Sequence, residues 1–203
     1  MMNMETQRNI LAAALMMVAV AACQNDGSWS KAEKDLICGE GETMRVLTVY
    51  DKADSLVLRA KCSEISAEEL SSNEYKMLAD KMVATVTSPE EDGVGIAGPQ
   101  VGISRRVVAV QRFDKDGEPF EVYPNIRLTD RRGEKELGPE GCLSIPGKRG
   151  EVSRYRDIGI TYTSVRTLRD TTETIKGYTA VIFQHECDHL DGILYTDYLE
   201  GNQ

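Results

Sequence analysis

Histidine is the scarcest chemically useful residue in this chain, with two in 203 residues, at positions 185 and 189. No three-histidine metal site can be built, so an ion held by this pair must draw another protein ligand from Cys, Asp or Glu. Positive charge is also in deficit: 24 Lys and Arg against 33 Asp and Glu leave a net charge of −9. That balance excludes the basic footprint of a nucleic-acid surface. Five cysteines, at 23, 38, 62, 142 and 187, include no CxxC pair and are too sparse for a small disulfide scaffold. The longest apolar run, residues 10–22, has 13 residues, short of what a bilayer-spanning helix needs.

That run, ILAAALMMVAVAA, has the length of a signal-peptide hydrophobic region and ends in Val20-Ala21-Ala22-Cys23. With Arg8 ahead of it, the stretch resembles a bacterial lipoprotein signal, which implies residues 1–22 as the signal, a lipid on Cys23 and a tether over 23–43. A membrane-anchored protein, periplasmic or on the outer surface, follows from that resemblance, with the membrane reached only through the lipid. Met44, directly before RVLTVYD, is an alternative start that would give a cytoplasmic protein. From 44 to 203 there is no repeat, low-complexity tract or second linker, so this span reads as one catalytic domain, expected to act as a monomer.

Ser66-Ala-Glu-Glu69 is a capping box, and Leu70, Tyr75, Leu78, Met82 and Val86 follow at near-helical spacing, which predicts a helix over 67–86. β-rich runs at 106–111, 119–123, 126–129 and 158–165 are separated by turn signals at Asp116-Gly117 and Arg132-Gly133. A second helix is predicted over 178–190. Strands grouped in the middle of the chain, without βαβ alternation, indicate an α+β fold with antiparallel strands around that helix.

QHECDHL (184–190) carries both histidines four residues apart, hence on one helical face, with Tyr178, Val181 and Ile182 leading into it. Glu186 lies one residue off that face, placed to act as general base on a water whose pKa the ion lowers. Cys187 points away and is expected in the core, while Gln184 and Asp188 are expected to orient the helix. Only 14 residues follow His189, leaving little room for the third-ligand helix of a zinc endopeptidase. Upstream, GPEGCLSIPG holds Cys142 between Gly141 and Leu143, where glycines and prolines would keep a thiolate accessible and rigidly held.

GVGIAGPQ (93–100), EGCLS (140–144) and QHECDHL (184–190), in that order, resemble the three motifs of the peptide deformylase family. The first departs from the usual GxGLAAxQ at Ile96 and Gly98, both small apolar changes that should alter packing rather than remove a catalytic group. The resemblance implies that Cys142, His185 and His189 hold one divalent ion, Fe(II) foremost, with Zn, Ni or Co able to take its place. It implies hydrolysis of the N-formyl group from formyl-methionyl peptides or nascent chains, with release of formate. Glu186 would shuttle the proton to the leaving amine, and the Gln100 side-chain amide and Leu143 backbone N–H would stabilise the oxyanion. Gly93 and Gly95 would let backbone approach an extended substrate; Val94, Glu140, Gly141, Arg149 and Val181 would surround the methionine or the peptide backbone.

An exported lipoprotein that binds formylated peptides without turnover is the competing reading, since nascent chains are deformylated in the cytoplasm. Retention of both Glu186 and Gln100 favours catalysis, because a binding module could dispense with either. Cys38 and Cys62 could pair in an exported domain.

Overall fold

The computed structural model describes residues 28–200; the expected signal sequence and Cys23 lie outside the described residues. Helix α1 (Lys31–Ile37) is followed by α2 (Lys52–Leu58), α3 (Ala67–Leu70) and α4 (Asn73–Val86). Strand β1 (Gly95–Ala97) leads through a 3₁₀ turn (Gly98–Val101) to β2 (Val107–Gln111) and β3 (Phe120–Pro124). Two long strands, β4 (Arg127–Gly141) and β5 (Arg149–Ser164), precede β6 (Arg169–Lys176), α5 (Gly177–Leu190) and α6 (Tyr195–Glu200). The strands form two antiparallel three-stranded sheets, in the orders β1-β2-β3 and β4-β5-β6, so the α+β expectation holds.

Strand β2 is apolar and buried from Val107 to Val110 because both of its faces are covered there. Val108 and Val110 face a core shared with Ile158 and Ile160 of β5 and Phe183 and Leu190 of α5. Val107 and Ala109 face the opposite way, toward Leu78 and Met82 of α4 and Ile37 of α1. Helix α5 is thereby held between the sheets, each large apolar side chain it buries contributing roughly 1.5–3 kcal/mol. A smaller cluster of Ile145, Val152, Leu194 and Tyr195 packs the β4–β5 loop against α6, with Cys142 at its edge.

Several elements differ from expectation for identifiable reasons. The helix predicted over 67–86 breaks at Ser71-Ser72: Ser72 Oγ donates to Glu69 O and accepts from Tyr75 N, ending one helix and capping the next. Arg132-Gly133, read as a turn, instead sits in a register irregularity between Arg132 and Lys135 within β4, with Gly133 at φ +74. The β4–β5 hairpin reaches out of the core, so its charged residues hid strands far longer than 126–129 and 158–165. Residues 28–43, expected as part of a tether, carry α1, with Trp29 and Ile37 buried. Cys38 and Cys62 are both free, the first exposed and the second buried, so that pairing is absent.

Candidate metal centre

Helix α5 starts where Gly177, at φ +67, turns the chain out of β6. Ala180, Phe183, Cys187 and Leu190 enter the core, which leaves His185 and His189 one turn apart toward the β4–β5 loop, their ring centroids 5.0 Å apart. Cys142, at the end of β4, brings its Sγ to 3.2 Å from His189 Nε2. Donor atoms of Cys142, His185 and His189 all lie within 4.8 Å of one another.

Each donor is oriented by its neighbours. His185 Nδ1 hydrogen-bonds Glu140 Oε2 at 2.8 Å, so its Nε2 is the nitrogen left for the cluster. Arg154 clamps that carboxylate through Nε at 2.7 Å and Nη2 at 3.1 Å, and reaches Asp188 through Nη1 at 2.6 Å. Asp188 also accepts from the Tyr198 hydroxyl. Gln184 brackets the Tyr155 main chain, accepting from its N–H and donating to its C=O, which ties α5 to β5. Glu140, assigned from the sequence to the substrate wall, is bonded to His185 and Arg154 while also lining the cavity. The Arg154 link had no sequence signal, because Arg154 stands in a strand where charged residues alternate.

Gln100 is 1% exposed. Its Oε1 accepts from Ala97 N at 2.9 Å, which turns Nε2 toward Ser144 Oγ at 3.2 Å and Cys142 Sγ at 3.6 Å. Glu186 is buried beside β1, so close that a Cβ on Gly95 would stand 2.5 Å from its Oε1 and 2.8 Å from Ile182 Cγ2. Gly95 is thus required by the approach of Glu186, a constraint beyond the substrate approach expected for it. Gly93 packs on Val86 and Leu143 side chains.

A cavity of about 370 Å³ opens over these groups. Gln100, Cys142, His185 and Glu186 form part of its wall. Val94, Gly141, Leu143, Arg149 and Val181 line it as well, joined by Tyr178, which sequence reasoning did not single out as a wall residue. His189 is 1% exposed and lies behind the others.

Burial and pairing tune the charges. Burial alone would raise the Glu140 carboxyl, but hydrogen bonds with His185 and Arg154 outweigh it and lower its pKa to about 2. For His185, the downward pull of burial is overcome by hydrogen bonds with Cys142 and Glu140, so the pKa rises. Burial, then the charge of His185, lowers His189 and favours its neutral, metal-binding form. Burial raises Glu186 to about 7. One thiol and two imidazoles are a transition-metal donor set. Buried Glu186 Oε2, which has no hydrogen-bond partner among the described residues, fits a polar group held beside an ion. The residues present therefore fit a bound divalent metal.

A family model described as polypeptide deformylase matches residues 44–203. A peptide deformylase of Leptospira biflexa is 33% identical over 159 residues, covering 75% of this chain and 87% of that protein. One from Finegoldia magna is 38% identical over 143 residues, covering 70% and 82%. Among solved structures, the Met-Ala-Ser-bound class I type b peptide deformylase of Acinetobacter baumannii has a TM-score of 0.67 at 35% identity, covering 77% of this chain and 98% of that one. The actinonin-bound form of the Acinetobacter enzyme gives 0.67 at 36%, covering 77% and 98%.

Proposed function

The chain belongs to the polypeptide deformylase family, and from that premise we propose which of its side chains carries each step. It is a metal-dependent hydrolase that removes the N-formyl group from formyl-methionyl peptides and releases formate. The observation that carries the residue assignment is the meeting of a Cys-His-His donor set, a buried carboxylate and a buried amide at one cavity wall.

Cys142, His185 and His189 would hold the ion, and Glu140, braced by Arg154, fixes the His185 ring through Nδ1. Fe(II) is the ion we favour, with Zn, Ni or Co able to use the same donors. When bound, a divalent cation there lowers the pKa of a water and polarises the formyl oxygen. Glu186 accepts the proton of the attacking water and passes it to the departing amine, so one water and one formamide give formate and a free α-amine. Gln100 Nε2 and the Leu143 N–H donate to the oxyanion as the carbonyl carbon becomes tetrahedral. Gly95, lacking a side chain, lets β1 lie directly against the Glu186 carboxylate. The relative crystallised with Met-Ala-Ser supports a methionyl peptide lying along the wall formed by Val94, Gly141, Arg149 and Val181.

We further propose that the protein is a lipoprotein carried on Cys23, supported by the Val20-Ala21-Ala22-Cys23 sequence behind a 13-residue apolar run. No helix among the described residues is long and apolar enough to cross a membrane. Its substrates would then be exported formyl-peptides; a chain started at Met44 would meet nascent ones instead.

Formate release from formyl-Met-Ala-Ser by full-length protein loaded anaerobically with Fe(II) tests the activity. Intact, metal-loaded protein that releases none would overturn it. Membrane fractionation of wild type and Cys23→Ser tests the anchor; wild type found wholly in the cytosol would refute it.

A further inference from the structure

Two features of this chain meet at one place. Residues 28–43 lie outside the family match, and Gly98 stands where the motif has alanine. Both bear on the turn that carries Gln100.

The N-terminal arm is anchored to the domain at Trp29, Glu33 and Ile37, while most of its other residues are exposed. Ser30 and Glu33 form a capping box that starts α1. Trp29 is 4% and Ile37 0% exposed, and both join the core that holds Val101 and Ile103. Trp29 donates from Nε1 to Ser72 Oγ at 3.0 Å, in the break between α3 and α4. Beyond the helix, Lys81 Nζ donates to Gly39 O at 2.6 Å. This is the packing of a domain element.

The arm grips the segment directly after the Gln100 turn. Glu33 accepts from Arg105 Nε at 2.6 Å and Nη2 at 3.1 Å. The same guanidinium lies over the Trp29 ring, 5.2 Å from its centroid, and pairs with Glu69 at 2.9 Å. Leu36 Cδ1 would stand 3.3 Å from a Cβ on Gly102, the residue that ends the 3₁₀ turn.

Gly98 lies directly against the 103–105 segment that the arm holds. A Cβ there would stand 2.7 Å from both Ile103 O and Arg105 O and 3.1 Å from Val107 Cγ1. The first two are backbone atoms, so a methyl group could be housed only by moving the 103–105 segment outward. That segment and the turn are also joined by Ile103 N donating to Gly98 O at 2.9 Å. Gln100 lies two residues from Gly98 on the same turn.

We propose that residues 29–37 are a clasp that positions Gln100. They hold Ile103 and Arg105 down on the turn, and Gly98 is the residue whose missing side chain lets the clasp close. Trp29, Glu33 and Ile37 are positioning residues acting through Gln100; none of them lines the cavity. The inference rests on the deformylase reading for its kinetic test only.

Full-length Ile37→Ala and Glu33→Gln, each shown by circular dichroism to be folded at the assay temperature and by metal analysis to carry wild-type metal, provide that test. A displaced oxyanion donor acts on the transition state. The expected result is a kcat lowered roughly tenfold or more with KM little changed. Hydrogen exchange should quicken at the Gly102 and Ile103 amides, bonded to Pro99 O and Gly98 O, and stay unchanged in α5. Gly98→Ala should lower kcat similarly, and its combination with Ile37→Ala should cost less than the product of the two single effects.

A lowered melting temperature with wild-type kcat would make the arm a stabiliser only and overturn the proposal. Multiplicative effects in the double variant would overturn the link to Gly98. If Ile37→Ala fails to fold, Ile37→Val takes its place in every comparison. Wild type that releases no formate would defeat the deformylase reading while leaving the exchange measurement to judge the clasp.

Discussion

Gly95→Ala is the most informative single substitution, because the structure supplies both its size and its target. The new Cβ would stand 2.5 Å from Glu186 Oε1 and 2.8 Å from Ile182 Cγ2. Ordinary contact needs about 3.4–3.5 Å, so the carboxylate must retreat by roughly 1 Å. Glu186 Oε1 is a side-chain end that can swing away, whereas Ile182 Cγ2 sits on a β-branched carbon of α5 and yields only with its backbone, so overpacking should cost about 1–3 kcal/mol. For a protein of this size that lowers Tm by about 2–12 °C. The catalytic cost should be larger in proportion: a 1 Å misplacement of a reacting group is worth on the order of a hundredfold, or about 2.7 kcal/mol of barrier. The assay is kcat for formate release from formyl-Met-Ala-Ser, paired with metal content and Tm. A folded, metal-loaded Gly95→Ala with kcat within a factor of two of wild type would refute the placement of Glu186 as the proton carrier.

Glu186→Ala should bind metal normally and lose roughly a hundredfold to ten-thousandfold in turnover; near-wild-type kcat would contradict its role as base. Arg154→Ala leaves Glu140, with a 5% exposed side chain, without its main countercharge. Stability should fall by roughly 3–5 kcal/mol by denaturant unfolding, and a loss under 1 kcal/mol would show that the pair is dispensable. Glu140→Gln should weaken metal affinity about tenfold to a hundredfold by competition with a chelator, and unchanged affinity would deny it the role of orienting His185. Removing the metal should lower Tm, and restoring it to a hundredfold over its Kd should return about 2.7 kcal/mol. A Tm indifferent to metal would mean that Cys142, His185 and His189 do not bind it in the folded state.

The parts of the centre on α5 were legible early because a helix places residues four apart on one face, a relation contained in seven consecutive residues. Cys142 was reachable through the shortage of histidine and the motif order, although nothing local distinguishes it from a buried packing cysteine. Glu140 was singled out through the family resemblance as a substrate-wall residue, and it lines the cavity; its buried pairing with His185 and Arg154 depends on how β4 and β5 lie against α5. Arg154 is paired in register with Glu136, yet its guanidinium turns to Glu140 and Asp188. Ser72 likewise reads as helix interior until its hydroxyl is seen closing one helix and opening another.

By itself the sequence determined the helix that carries two imidazoles and a carboxylate, the β-rich run that becomes β2, the α+β class and the net negative charge. All of these follow from composition or from periodicities of 2 and 3.6, which neighbouring residues encode. Tertiary structure alone decided which nitrogen of His185 is free, why a Cβ on Gly95 would crowd Glu186, and that an arm beginning near Trp29 holds Arg105, just after the turn bearing Gln100. Those depend on distances between segments about 40 to 90 residues apart along the chain. Such distances are set by the packing of two sheets around one helix, which no stretch of adjacent residues specifies.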